Sequence, residues 1–381
     1  MERPATRWIR TPEELEALGR ALEGCRALAL DSESDSLHHH FEKVCLVQLA
    51  TDRGESCLVD PLAVKDLAPL APVMADPGVA KVLHGADYDV TTLKRDFGFA
   101  FAGLFDTMIA ARFLGLNEVG LQAVARDELG VALSKDSQKD DWSRRPLTPR
   151  QEAYALADVQ HLLPLRDRLE AKLREKGRLE WVREECEAVA ALEPARRRKD
   201  PEAWRKVKGA RRLGPRALAA LRELLAWREA RAEATDVPAF KILGSEALLA
   251  LAGRDARNVG ELSRVRGVLP RLRDQAAALL EALKRAREMP DRDLPSFPPA
   301  PRPPAVPEAV RRRAETLKAW RARTARSLAV DVSVVLPQRL IDRLAESGPR
   351  DLAGLEAIDG LRRWRIGAFG APILEALDHA T

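Results

Sequence analysis

Along the first 165 positions, apolar residues come in short dense runs separated by polar stretches of helical spacing. Residues 27–31, 43–50 and 56–59 are short β-rich runs that read as strands, the first of them, apolar throughout Ala27 to Leu30, buried on both faces. Their close spacing predicts an antiparallel meander. Residues 81–85 (KVLHG) predict a further strand running into a helix from Ala86 to about Arg95. Residues 102–107 (AGLFDT) predict another strand, followed by a helix capped by Asp106. Upstream, TPEE at 11–14 has the Thr cap, first-turn Pro and third-position Glu of a helix start. This alternation predicts a mixed α/β domain over residues 1–175, long enough to bury its own core.

From about residue 170 onward no β-rich run occurs, and the pattern becomes helical and rich in Ala, Leu, Arg and Glu. It contains an internal repeat. The stretch around Trp227 resembles the stretch around Trp320, and each Trp-Arg is followed 40 residues after the Trp by a glycine, Gly267 and Gly360. Two small helical domains are predicted, at 210–289 and 308–381. Residues 290–307 hold eight prolines in 18 residues and read as a stiff extended linker between them. The first repeat has Asp236-Val-Pro238 where the second has Asp-Val-Ser and a longer interval from the Trp, so the second is the divergent copy.

Composition adds a charge asymmetry. Residues 1–170 carry 20 Lys and Arg against 28 Asp and Glu, a net −8, and the remainder carries 43 against 30, a net +13. An acidic part that holds cations joined to a basic part that attracts polyanions fits these numbers, as do solvated helix faces. Cys25, Cys45, Cys57 and Cys186 are scattered, which argues against structural zinc and for a reducing compartment. The N-terminus lacks an apolar leader and no run of about 18 apolar residues occurs, so the expected location is the cytoplasm, with no membrane partner.

Candidate chemistry comes from three places. Asp31 and Glu33, two apart at the end of a strand, share a face. His84 ends a strand, and Asp87 and Asp89 open the helix that follows. Thr148, Pro149 and Gln151 form a capping box that starts a helix with Tyr154 and Asp158 on one face at i and i+4. Taken singly, each pattern also fits a solvated turn or an amphipathic surface.

Together these pieces resemble the tyrosine-containing branch of the DEDD superfamily of 3′–5′ exonucleases. That family has an Asp-x-Glu on its first strand, an Asp after a later strand and a Tyr-x-x-x-Asp on a following helix. GLFDTMIAARFLG and DDWSRRPLTPRQEAYALADVQHLLPL resemble ribonuclease D members in particular, whose domain order ends in helical repeats of the helicase-and-RNase-D C-terminal (HRDC) type. The resemblance spans nearly the whole chain. It implies a ribonuclease-H-like mixed-sheet exonuclease domain followed by two small all-α HRDC-like domains. It also implies a monomer that trims the 3′ ends of structured RNA, tRNA precursors foremost. Ser32 stands where Thr is frequent in the family.

Two divalent ions roughly 4 Å apart can supply both a hydroxide and stabilisation of the leaving oxyanion in phosphodiester hydrolysis. Mg²⁺ and Mn²⁺ prefer carboxylate oxygen. The resemblance assigns Asp31, Glu33 and Asp158 to the first ion, with Asp31 bridging to the second and Asp89 supporting the second partly through water. It favours Asp89 over Asp87, since the second-motif Asp lies five residues past the His. Tyr154, a poor base with an ordinary pKa near 10, would orient the attacking water. Trp142, Arg144 and Arg145 are expected stacking and phosphate contacts, and for Trp142 packing is an equal alternative. His38 to His40 read as a polar hairpin loop or, His40 above all, as imidazoles stacking on RNA bases. A DNA exonuclease and a non-catalytic RNA-binding scaffold are the alternative readings.

Overall fold

The computed structural model describes residues 7–195, 200–265, 268, 273–298 and 306–380. Its sheet has six strands: β1 (Arg7–Ile9), β2 (Ala27–Ser34), β3 (Val44–Thr51), β4 (Ser56–Val59), β5 (Ala80–Leu83) and β6 (Leu104–Asp106). They lie in the order β1-β4-β3-β2-β5-β6. The predicted meander is present, with β2 on β3 and β3 on β4 antiparallel, whereas β1 on β4, β5 on β2 and β6 on β5 run parallel. β1 is a three-residue edge strand whose Arg-Trp-Ile has no apolar run to reveal it. β2 continues past its apolar run through Ser34, because pairing with β3 carries on as Asp31↔Gln48, Ser32↔Val47 and Glu33↔Leu46, ending in a bulge.

Eight helices accompany the sheet: α1 (Pro12–Ala21), α2 (Ala71–Ala75), α3 (Asp87–Phe97), α4 (Thr107–Leu114), α5 (Leu121–Leu129), α6 (Pro149–Gln160), α7 (Leu162–Glu175) and α8 (Leu179–Ala190). Both predicted capping boxes form, Thr11 with Glu14 at α1 and Thr148 with Gln151 at α6. α6 buries Gln151, Ala155 and Val159 and packs over β2, β3 and β4. Gly85 makes the turn from β5 into α3 with φ +74°, where a Cβ would also come within 2.9 Å of Met108 Cε.

The chain forms two compact units, one of residues 1–34, 44–195 and 304–381, the other of 35–43 and 196–303. In the second unit, the first repeat comprises α9 (Pro215–Thr235), α10 (Ala239–Ile242), α11 (Ser245–Ala252), α12 (Val259–Ser263) and α13 (Ala276–Glu288). Its core includes Trp204, Leu221, Leu248, Leu262 and Leu279, with Trp227 partly buried against it. Gly267, the first repeat's glycine, lies outside the described residues. The proline-rich segment differs from a free spacer over 290–298. There Leu294 and Phe297 pack on the first repeat's core, Phe297 edge-on to Trp204 at 5.1 Å. Residues 299–305 lie outside the described residues.

The second repeat comprises α14 (Glu308–Leu328), α15 (Val332–Val335), α16 (Gln338–Ser347), α17 (Leu352–Glu356) and α18 (Arg363–Asp378). It shares one hydrophobic core with the sheet domain, so the α/β segment does not bury its core unaided. Trp364 stacks on Trp181 of α8 with centroids 4.7 Å apart and meets Phe113 of α4 edge-on at 5.4 Å. Glu184 accepts from the Arg363 and Trp364 backbone N–H groups at 2.8 and 2.7 Å, and Glu185 accepts from Trp364 Nε1 at 3.0 Å. The Arg178 guanidinium bridges Phe113 O and Leu328 O, both at 2.8 Å. Gly115, at φ +81°, lies so close to the Ala329 carbonyl that any Cβ there would collide with it. Cutting the chain near Lys199 therefore removes part of the catalytic unit's core along with the basic repeats.

Trp364 is 7% exposed. Trp364→Ala should lower unfolding free energy by about 3–5 kcal/mol in urea denaturation, the cost of emptying a large aromatic core position. A loss below about 1 kcal/mol would show the second repeat to be only loosely seated.

Candidate active site

Asp31 and Glu33 project from the same face of β2 beyond its buried Ala27–Leu30 stretch, and Asp158 comes down to them from α6. One carboxylate oxygen from each of the three lies within 4.8 Å of the others. Asp89 approaches from α3. It is 7% exposed, and its Oδ1 accepts from the Ser32 hydroxyl at 2.5 Å. Asp87, on the same first turn, is exposed. Ser32 lies between Asp31 and Glu33 on β2, and its hydroxyl ties the fourth acid to the strand close enough for Asp31 to feel its charge. The start of α3 is fixed from below by Asp106. Its carboxylate caps α4 through Met108 N and Ile109 N, and accepts from Gly85 N and Ala86 N at 3.0 and 2.8 Å.

The four acids repel one another in a partly enclosed space, Asp89 buried and Asp31, Glu33 and Asp158 half-buried. Burial holds the Asp31 carboxyl well above its ordinary range, and the charges of Asp89, Glu33 and Asp158 push it further. Burial, followed by the charges of Asp158, Asp89 and Asp140, raises Glu33 to about 9. Burial raises Asp89 to about 7 against the pull of the Ser32 hydroxyl. It raises Asp158 to about 7 against the pull of the Tyr154 hydroxyl. Tyr154 is itself held protonated by burial and by the charges of Asp158, Glu33 and Asp31. Its phenol is therefore a hydrogen-bond donor, not a base. An all-oxygen, all-acid donor set at this density fits a hard divalent cation, whose charge offsets the repulsion.

The expected substrate contacts separate. Trp142 is 1% exposed, in a cluster with Leu46, Leu58, Leu147 and Ala155, and its ring lies 6.1 Å from that of Tyr154. It fills the space between the sheet and α6 and has no face free for a base. Arg145 is also corrected. Its guanidinium grips the buried Asp60 at 2.7 and 2.8 Å and donates to the carbonyls of Cys45, Trp142 and Arg144, so it is a structural tie. Asp60 follows β4 in a stretch with no local sign of a partner 85 residues away, so the pairing is invisible in sequence. Arg144 stays exposed, 3.1 Å from Asp141. His40 belongs to the 35–43 segment of the second unit, where its ring meets Phe41 edge-on at 4.9 Å.

Residues 6–174 match the 3′-5′ exonuclease domain family, and residues 217–283 and 310–377 each match the HRDC domain. Ribonuclease D of Pseudomonas paraeruginosa is 35% identical over 99% of both chains. Among solved structures, Escherichia coli RNase D, an exoribonuclease involved in structured RNA processing, superposes with a TM-score of 0.68 at 26% identity over 99% of both chains. The catalytic core of Trypanosoma brucei RRP6 gives 0.68 at 28%, covering 75% of this chain and 81% of that one. Sheet, acids and helical repeats thus define a 3′–5′ exonuclease with HRDC domains. The chain belongs to the ribonuclease D family of 3′–5′ exoribonucleases.

Two outcomes follow from the site. Asp89→Asn should reduce turnover by at least 100-fold while Asp87→Asn leaves it within about threefold, in single-turnover assays on end-labelled RNA. The reverse order would displace Asp89 from the site. The second outcome concerns pH. The acids' folded-state values lie above their ordinary 3.8 and 4.5, so their contribution to stability is complete at low pH and is lost as pH rises through about 7 and then about 9. In EDTA, Tm should fall between pH 6 and pH 9, and the Tm gain on adding Mn²⁺ should be larger at pH 9. A metal-induced gain that is flat with pH would contradict the crowding of the four acids.

Proposed function

We propose that the chain hydrolyses RNA one nucleotide at a time from the 3′ end with two divalent ions, Mg²⁺ or Mn²⁺. Its proposed substrates are structured precursors, above all tRNA precursors with 3′ trailers. The observation that carries this is the convergence of Asp31, Glu33 and Asp158 within 4.8 Å, with Asp89 anchored beside Asp31 by Ser32. Bound divalent ions would supply a hydroxide at neutral pH and charge stabilisation for the leaving 3′ oxygen. Asp31, Glu33 and Asp158 would hold one ion, and Asp31 with Asp89 the other. Asp31 is suited to the shared position because it feels the charge of all three other acids.

Tyr154 is a turn away from Asp158 on α6, and its protonated hydroxyl would donate to the attacking oxygen and fix its line of approach. Arg144, exposed just ahead of α6, would meet the RNA backbone. His40 and the half-exposed Phe41 offer ring faces for unpaired bases. The basic excess of the helical repeats suits the body of a folded RNA. The E. coli relative's involvement in structured RNA processing supports that choice of substrate.

The test uses end-labelled RNA and DNA of matched sequence, and a tRNA precursor with a 3′ trailer, in Mg²⁺, Mn²⁺ or EDTA. Stepwise shortening of RNA from the 3′ end, lost in EDTA, is expected. Tyr154→Phe should lower kcat by about 10²- to 10⁴-fold with bound metal retained. Equal turnover on DNA would favour a DNA exonuclease, and metal-independent binding without turnover would favour a scaffold.

A further inference from the structure

Gln48 sits in the middle of β3, 0% exposed, and neither its side-chain oxygen nor its nitrogen has a hydrogen-bond partner among the described residues. A buried carboxamide with all its donors and acceptors unmet is costly, and most native chains avoid it. Its surroundings are defined by the register. Gln48 pairs with Asp31 of β2 on one side and with Leu58 of β4 on the other, and directly paired positions share a face of the sheet. Along β3 the neighbours on that face are Leu46 and Ala50, and Ala155 is a buried position on the α6 face that covers the strand. Leu46, Leu58, Ala50 and Ala155 are apolar; Asp31 is the polar side chain directly paired with Gln48, with Glu33 one diagonal step further along β2.

We infer that Gln48 is a positioning residue for Asp31: when a divalent cation is seated, its amide N–H donates to the cross-strand Asp31 carboxylate and fixes the orientation in which that carboxylate holds the ion. This inference rests on the reading of Asp31 as a metal ligand. Leu46, Leu58 and Ala155 offer the amide no polar partner, and the carboxylate paired directly across from it is that of Asp31. Residues that orient metal ligands in this way are typically worth 10- to 100-fold in metal affinity.

The experiment compares full-length wild type with Gln48→Leu and Gln48→Met, which keep the volume and remove the amide, and with Asp31→Asn. Mn²⁺ binding is followed by the electron paramagnetic resonance of free Mn²⁺, Tm is measured in EDTA, and kcat and KM are determined on RNA. Removing an unmet amide should leave the Tm in EDTA equal to or above that of wild type. Mn²⁺ affinity should fall 10- to 100-fold. KM for RNA should stay unchanged at saturating Mn²⁺, and the loss in kcat at limiting Mn²⁺ should be recovered by raising its concentration. Wild-type Mn²⁺ affinity in both Gln48 variants, with affinity lost in Asp31→Asn, would overturn the role of Gln48 alone. Wild-type affinity in Asp31→Asn as well would overturn the reading of the metal site beneath it. Loss of folding or a marked fall in metal-free Tm in both Gln48 variants would also overturn the inference, by making the amide a requirement of the fold.

Discussion

Asp31 stands within reach of three other carboxyls, and the repulsion among these four acids is the constraint around which the catalytic unit is built. No single element could hold them. Two come from β2, one from α3 and one from α6, so each is fixed by a different piece of backbone and none can relax away without unpacking that piece. The meander keeps β2 central: β5 pairs with its Ala27–Ala29 part, and the acid-bearing end runs on past β5 along β3, leaving an open edge that Asp89 of α3 reaches through Ser32. Partial burial then limits the water around them, so a cation entering such a site meets charge that bulk solvent screens only in part.

The bracing extends outward through α8. This helix packs against β6, and the Cys186 thiol accepts from the Asp106 backbone N–H at 3.2 Å; the Asp106 carboxylate in turn secures the start of α3. On its other side α8 carries Trp181, Glu184 and Glu185, the residues that seat α18 of the second repeat. The divergent repeat has thus become part of the wall behind the acid site. Its Arg365, 4% exposed and bonded to Val335 O and to Glu185, is held within that seat and does not face an RNA phosphate.

Much of this was legible in the sequence because it rests on local signals. The apolar runs of β2 to β6 and the capping boxes at Thr11 and Thr148 act over a few residues, and the motif acids keep a fixed order along the chain. What escaped depends on partners far apart. The burial of Trp142 and the commitment of Arg145 to Asp60 connect positions 85 residues apart, and an Arg or Trp ahead of an active-site helix looks the same whether it faces RNA or the sheet. The merging of the second repeat with the α/β core was hidden for the same reason. Its apolar residues satisfy a helical period equally well in a free-standing domain. Ser32 was noted only as a departure from a frequent Thr, while its hydroxyl proves to be the tether of Asp89.

The close approach of Gly115 to Ala329 also bears on the order of assembly. The chain is made from its N-terminus, so the strands, the acids and α8 all exist before the helices that complete their core have been synthesised. The first repeat, which intervenes, has a core of its own and can close early. The nascent protein therefore passes through a stage with a finished helical domain and an unfinished nuclease, whose Trp181 face stays bare until α18 has been made. A mature cutting site thus waits on a helix encoded nearly two hundred residues after the helix it covers.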